Sequence, residues 1–239
     1  MTLKNSHTRN KIANKGKKRK TLRKKNEKKL RSAWSTVDDT LIIRRDPNSR
    51  PAKHIVAFDW DGTLTYITSG RISAKNSNDY SILCNEVVTT LNRLFHDEDK
   101  SLVIFSNQAD LKNSTKNGKK EINKVLNAID KFVTAVGVPI DAILATRKDK
   151  YRKPGDEMFY YYLSDSKKSN KKGDIVMNFA SVLPPKDKEK DLSASIVDMF
   201  VGNEVGRSYN DMNDDKMFAK AVGISISTPE DFFKCKKKR

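Results

Sequence analysis

Four short apolar runs lie along the chain, and each one ends in a polar loop. They cover residues 55–58, 102–105, 140–145 and 196–201, and each consists mainly of large apolar residues. Runs of this length and composition are typical of strands buried on both faces of a parallel sheet. The sequence therefore predicts four parallel strands whose carboxyl ends carry polar residues.

Helical patterns separate these runs, at residues 86–95, 119–136 and 214–222. Strands that alternate with helices predict an α/β fold with a doubly wound parallel sheet. In such sheets ligands bind outside the carboxyl ends of the strands. We therefore expect the polar loops to converge on one site.

Two segments depart from this alternation. Residues 66–83 are polar and rich in turn-forming residues, and we predict that they form a flap over the site. Residues 165–174 are a Lys/Ser/Asn tract, which we predict to be a surface insertion.

The formal net charge of +18 is concentrated near the N-terminus. Residues 1–31 contain 14 Lys or Arg and one acid, which leaves +5 for the other residues. This segment has almost no large apolar side chains and predicts a disordered or loosely helical basic arm. Such an arm suits phosphate-rich partners or nuclear import, although a solvated charge run without a partner is the alternative.

Three regions are therefore expected. They are the basic arm at 1–31, a lead-in segment at 32–50 and a folded domain at 51–239. The two cysteines, Cys84 and Cys235, match no metal or redox spacing, and we expect free thiols in a reducing compartment. No apolar run is long enough to span a membrane, so we expect a soluble intracellular protein without a membrane partner.

The first apolar run leads directly into Asp59 and Asp61. A first carboxylate here could attack phosphorus, and a second one two residues later could protonate the leaving oxygen. Gly62 would let the chain turn, and the hydroxyl of Thr63 could hydrogen-bond Asp59. Acid and glycine pairs are also common in simple turns and caps.

Polar residues after two other strands could complete such a site. Ser106 and neighbouring backbone N–H groups could bind phosphoryl oxygens, although a helix cap is the alternative. Lys153 could neutralise the charge of the transition state. Pro154 follows it, and we predict that this proline starts a helix.

Together these residues resemble the haloacid dehalogenase (HAD) superfamily of phosphohydrolases, and more closely its polynucleotide 3′-phosphatases. The resemblance covers about residues 32–233 and includes Asp215. It rests on residues 58–64 (FDWDGTL), 103–108 (VIFSNQ), 151–154 (YRKP), 200–207 (FVGNEVGR) and 227–233 (STPEDFF).

The resemblance implies a HAD-like Rossmannoid sheet without a large cap domain, and a Mg²⁺-dependent reaction through an aspartyl-phosphate. The implied catalytic residues are Asp59 as nucleophile, Asp61 as general acid and then base, and Lys153 as charge neutraliser. The implied substrate-binding residues are Thr63, Ser106, Asn107, Arg152 and Arg207. The implied metal-site residues are Asp59, Asp61, Asn203 and Asp215.

Asn203 departs from the family pattern, which has an acid at this position that helps to hold Mg²⁺. An amide oxygen can bind Mg²⁺, but the change removes one negative charge from the site.

The short stretches between motifs leave no room for a large cap, so a polymer end could enter. With the positive charge, this favours a nuclear, monomeric DNA-repair enzyme that removes 3′-phosphate from strand-break ends. No kinase-type phosphate loop is found. Two alternatives stay open: a catalytically impaired relative that binds DNA ends or a ribonucleoprotein, and a small-molecule phosphatase.

Overall fold

The computed structural model describes residues 33–37, 39–50, 54–108, 116–166, 197–206 and 212–235. The chain divides into two compact units, residues 1–35 and 36–239, and the elements below belong to the second apart from the first two residues of the first strand. The predicted basic arm and residues 167–174 of the predicted insertion lie outside the described residues.

A seven-stranded sheet forms the centre of the fold, and a two-stranded sheet accompanies it. In chain order the strands are β1 Trp34–Val37, β2 Leu41–Arg44, β3 Ile55–Phe58, β4 Thr65–Ile67, β5 Tyr80–Ile82, β6 Ser101–Asn107, β7 Asp141–Ala145, β8 Val197–Val201 and β9 Ile226–Ser227. The main sheet has the order β1-β2-β7-β6-β3-β8-β9, and β4 pairs with β5. Strands β7, β6, β3, β8 and β9 are parallel.

The four predicted strands are confirmed, because β3, β6, β7 and β8 each overlap one of the apolar runs. The lead-in segment was not predicted to contain a strand. Its β2 is nevertheless fully buried and pairs antiparallel with β7. Arg44 at its end donates to the carbonyl of Ile140 at 2.6 Å and to Asp130 at 3.1 Å. These partners lie about ninety residues away in sequence, so the local pattern could not reveal them.

The helices follow the parallel strands. They are α1 Asn85–His96, α2 Lys116–Val136, α3 Glu157–Ser166, α4 Asp214–Val222 and α5 Pro229–Phe233. The three predicted helices are confirmed as α1, α2 and α4. The prediction that Pro154 starts a helix is wrong, because residues 151–155 form turns and α3 begins at Glu157. None of the described helices has the length and apolar composition that crossing a bilayer requires.

Both faces of the main sheet are covered. Ala57 and Phe105 belong to an apolar cluster with Phe159 of α3 and Phe218 of α4. The neighbouring residues of the same strands, such as Phe58 and Ile104, point to the opposite face and are also buried. On that side, α1 contacts β6 and α2. The fold is therefore the predicted doubly wound α/β sheet. The segment predicted as a flap forms the β4–β5 sheet and its connecting loop.

The expectation of two free cysteines is wrong. Cys84, the residue before α1, forms a disulfide with Cys235, and their Cα atoms are 5.8 Å apart. The pairing arises because α5 contacts α1 and stacks Phe233 on Phe58, with ring centroids 6.0 Å apart. A sequence separation of 151 residues concealed this proximity.

The disulfide predicts that stability depends on reductant. A cross-link across so long a loop restricts the unfolded chain and should contribute about 2–4 kcal/mol to the free energy of unfolding. Urea unfolding of the native protein should therefore shift to lower urea in dithiothreitol, and Cys84→Ser should match the reduced protein in both buffers. Identical curves for oxidised and fully reduced native protein would contradict the prediction.

Candidate active site

The loop after β3 fixes two carboxylates at the carboxyl end of the sheet. The backbone N–H of Asp59 donates to the carbonyl of Val201 at 2.8 Å, which extends the pairing of β3 with β8. The next side chain, Trp60, is fully buried and packs edge-on against Phe132. Gly62 then turns the chain with φ of 75°. As a result Asp59 is buried and Asp61 lies at the start of the turn.

Lys153 lies between two buried carboxylates. Its ammonium donates to Asp59 Oδ1 at 2.7 Å and to Asp215 Oδ1 at 2.6 Å, and only 1% of the residue is exposed. Burial by itself would lower the pKa of this lysine, but the attraction of Asp215 and Asp59 outweighs it and raises the pKa. Lys153 is therefore a permanent buried cation.

Asn107 holds the main chain of Lys153 from both sides. Its Oδ1 accepts the N–H of Lys153 at 2.8 Å, and its Nδ2 donates to the carbonyl of Lys153 at 3.0 Å. The same Nδ2 lies 3.3 Å from Asp214 Oδ2. Asn107 was expected to bind substrate, and its contacts in the structure are those of a residue that positions Lys153.

Asp61 is oriented by Gln108, a residue to which sequence reasoning gave no role. Gln108 Nε2 donates to Asp61 Oδ2 at 2.6 Å and to Ser106 Oγ at 3.0 Å. Burial raises the pKa of Asp61, and the hydrogen bond from Gln108 offsets part of that rise. The available signal was the place of Gln108 at the end of β6, two residues after Ser106.

Asn203 contacts the turn after Asp61. The hydroxyl of Thr63 donates to Asn203 Oδ1 at 3.2 Å, so the expected hydrogen bond from Thr63 to Asp59 is replaced by one to Asn203. A Cβ atom at Gly62 would lie only 2.7 Å from Asn203 Nδ2. The positive φ therefore favours glycine at position 62, and a larger residue there would also have to displace the amide of Asn203.

Asp215 contacts both Lys153 and the loop after β8. It is fully buried, and its Oδ2 accepts the backbone N–H of Glu204 at 3.0 Å. The chain approaches so closely that a Cβ atom at Gly202 would lie 2.5 Å from this oxygen. Burial raises the pKa of Glu204, and repulsion from Asp215 adds to the rise. With Oδ1 bonded to Lys153, both carboxylate oxygens of Asp215 have protein partners.

Of the two arginines predicted to bind substrate, only Arg152 belongs to the described residues. Arg152 is partly exposed and lies 3.6 Å from Asp214 Oδ2 at the same edge of the sheet. Arg207 lies outside the described residues.

The charges of the site are unbalanced. Asp59, Asp61 and Asp215 face a single buried cation, Lys153. Burial raises the pKa of Asp59 to about 8, although Lys153 pulls it in the opposite direction. A further cation would relieve this imbalance.

The oxygen donors at the edge of the sheet are of the kind that Mg²⁺ prefers. Asp59, Asp61 and Asn203 could hold such an ion. Asp215 is left out of this set because the ammonium of Lys153 lies between it and Asp59. In the described part of the chain, the carboxylates of the site do not bring three oxygens within 4.8 Å of one another. The donor set thus fits an ion that also binds water or substrate oxygens.

The chain is similar to a known protein family over most of its length. Residues 54–233 match the family described as polynucleotide kinase 3 phosphatase. A bifunctional polynucleotide phosphatase/kinase of Schizosaccharomyces pombe is 30% identical over 210 residues, which are 87% of this chain and 44% of the yeast protein. The polynucleotide 3′-phosphatase ZDP of Arabidopsis thaliana is 25% identical over 210 residues, 84% of this chain and 27% of the plant protein. The chain thus spans less than half the length of these two relatives.

Two further proteins resemble this chain, one in sequence and one in fold. A 20.8 kDa protein of Autographa californica nuclear polyhedrosis virus is 29% identical over 206 residues, which are 83% of this chain and 96% of the viral protein. The crystal structure of a HAD-like phosphatase from Mesorhizobium loti has a TM-score of 0.51 at 12% identity, and the match covers 79% of this chain and 78% of that one. At this identity the structure supports the fold alone.

Loss of the Lys153 ammonium should destabilise the domain. Lys153→Met leaves Asp59 and Asp215 buried without a cation, and removal of one partner from a buried ion pair typically costs about 3–5 kcal/mol. Urea unfolding in EDTA should show this loss, whereas Lys148→Met, at an exposed lysine, should change little. Adding Asp215→Asn to Lys153→Met should restore part of the stability. Equal stability of the Lys153 and Lys148 variants would contradict the role of the buried cation.

Proposed function

The chain belongs to the polynucleotide kinase 3 phosphatase family, and from this premise we propose that it removes the terminal phosphate from 3′ ends of DNA. The observation that carries the proposal is the arrangement of four side chains within the family segment. Asp59 is held by Lys153 at 2.7 Å, and Asp61 is held two residues away by Gln108 at 2.6 Å. A nucleophile and a proton donor are thus fixed separately at one edge of the sheet.

In the first step a carboxylate oxygen of Asp59 attacks the phosphorus of the 3′-phosphate. The bond between phosphorus and the 3′ oxygen breaks, and Asp61 gives its proton to that oxygen, which leaves as the 3′ hydroxyl. Burial raises the pKa of Asp61, and this shift favours the protonated form that the role requires. Lys153 offsets the negative charge that gathers on the phosphoryl oxygens.

In the second step Asp61, now ionised, takes a proton from water. The water oxygen attacks the phosphorus of the aspartyl-phosphate, the acyl-phosphate bond breaks, and inorganic phosphate leaves with Asp59 regenerated. Ser106 lies beside Gln108 and can donate its hydroxyl proton to a phosphoryl oxygen.

We propose that Asp59, Asp61 and Asn203 hold a Mg²⁺ ion. Such an ion favours the ionised form of Asp59 and neutralises phosphoryl charge when it is bound. Asp215 acts indirectly in this proposal, because Lys153 and the backbone of Glu204 engage both of its oxygens.

A DNA end as substrate is supported by charge and by access. The described chain between Thr63 and α1 forms only the small β4–β5 sheet and its loop, so this stretch supplies no large cap that would exclude a polymer. Residues 1–31 carry a net +13 that would attract polyphosphate and favour a nuclear location. The names of the yeast and plant relatives also indicate polynucleotides.

A second candidate is a DNA-end-binding protein with little activity. Asn203 favours it, because the amide brings no charge to the proposed metal site.

The proposed mechanism predicts that Asp59 is essential. Asp59→Asn should lower release of phosphate from a 3′-phosphorylated oligonucleotide by roughly 10⁴-fold or more while the domain stays folded. Asp97→Asn, at an exposed acid, should retain full activity. The native protein should also prefer the oligonucleotide to a small phosphate ester. Undiminished turnover by Asp59→Asn would exclude the aspartyl-phosphate route, and equal preference would favour a small-molecule phosphatase.

The second prediction separates the two candidate functions. Asn203→Asp adds a carboxylate next to the Thr63 hydroxyl, and although desolvation offsets part of the gain, the variant should bind Mg²⁺ more tightly. Phosphate release is measured over a Mg²⁺ titration for both proteins. A gain confined to low Mg²⁺ indicates an active native enzyme, and a large gain from near zero indicates the impaired binder. Superimposable curves at measurable activity would show that position 203 does not tune metal binding.

A further inference from the structure

A lysine-lined cleft of about 440 Å³ lies between α2 and the loop that joins β4 to β5. Its lining from α2 is Lys119, Lys120, Asn123, Lys124 and Asn127, and its lining from the loop is Asn76 and Ser77. We call this the basic cleft. We propose that it binds the phosphodiester backbone of the polynucleotide strand whose 3′ end occupies the active site, an inference that rests on the proposed function.

The chemistry of the lining fits a phosphate backbone. Every lining side chain is cationic, an amide or a hydroxyl, and these are the side chains that contact phosphate and sugar oxygens in nucleic-acid complexes. Lys124 is paired with Glu121 at 2.6 Å. Lys119 and Lys120 are exposed, and the described chain contains no acid within ion-pair distance of either. These two lysines are therefore available for an external anion.

The loop wall of the cleft is held in a fixed shape. Asp79 accepts hydrogen bonds from Thr68 Oγ1 at 2.8 Å, from Ser69 Oγ at 2.7 Å and from the backbone N–H of Lys75 at 2.8 Å. From the opposite wall, Lys131 donates to Ser77 Oγ at 2.7 Å. The cleft is thus formed before any ligand arrives, which reduces the entropic cost of binding.

The position of the cleft identifies the ligand as part of the substrate. The helix α2 follows β6, which ends beside Ser106 and Gln108, so the first turns of α2 lie at the same edge of the sheet as the site. The loop that forms the other wall is also connected to the site, because β4, which leads into this loop, begins two residues after Thr63. A strand that leaves Asp59 in the 5′ direction along this helix would meet the uncommitted cations of Lys119 and Lys120.

The test compares two charge-matched double variants. Lys119→Gln with Lys120→Gln removes two cations from the basic cleft, and Lys220→Gln with Lys234→Gln removes two exposed cations from elsewhere. The readout is 3′-phosphate release from a single-stranded oligonucleotide long enough to reach the cleft and from a 3′-phosphorylated dinucleotide.

For the cleft variant we expect KM on the long substrate to rise about tenfold with kcat unchanged, and the slope of log KM against log salt to fall by about 1.4, since each single-strand phosphate contact contributes about 0.7. Its KM on the dinucleotide and the kinetics of the control variant should stay as in the native protein. An unchanged KM on the long substrate, or equal changes in both double variants or on both substrates, would overturn the proposal.

Failure of the proposed function would be seen separately, as absence of phosphate release by the native protein. In that case the same variants are compared by fluorescence anisotropy with a 3′-hydroxyl oligonucleotide. Weaker binding by the cleft variant than by the control supports the basic cleft as a polynucleotide surface, and equal binding overturns it.

Discussion

The buried charge group of Asp59, Lys153 and Asp215 is the constraint on which the site depends. Each charge is costly to bury alone, and the three become tolerable only when a single ammonium contacts both carboxylates at 2.6–2.7 Å. The members come from the end of β3, from the turn after β7 and from α4. The order of the strands in the sheet must therefore be correct before any of these charges is satisfied.

Residues around this group are explained by the need to hold it. Asn107 fixes the main chain of Lys153 at both its N–H and its carbonyl, and Gly202 leaves room for Asp215. Gln108 holds Asp61 in the same way, and Asp61 has no ion pair with Lys153. In the proposed mechanism, Asp59 and Asp215 balance the charge of Lys153, and Asp61 transfers the proton.

The interior of the site and the surface beside it have opposite charge. Inside, Asp59 and Asp215 contact Lys153, and the nearby Asp61 adds a third carboxylate, an arrangement that suits a divalent cation together with a phosphoryl group. Beside it, the lysines of the basic cleft suit the backbone of a polyanionic strand. A small phosphate ester would use only the first of these regions, and a polynucleotide would use both.

The sequence by itself determined the four parallel strands, the three main helices and the place of Asp59 and Asp61, because apolar runs and helical periodicity are local properties. The position of Lys153 after the third predicted strand marked it as a candidate cation, and motif resemblance added Asp215 to the site. Only the tertiary structure decided that β2 joins the sheet antiparallel, that Cys84 pairs with Cys235, and that Gln108 holds Asp61. These contacts join residues that are 47 to 151 positions apart in the sequence. Such partners are selected by packing and by the cost of leaving a buried charge unpaired, and no local pattern encodes either.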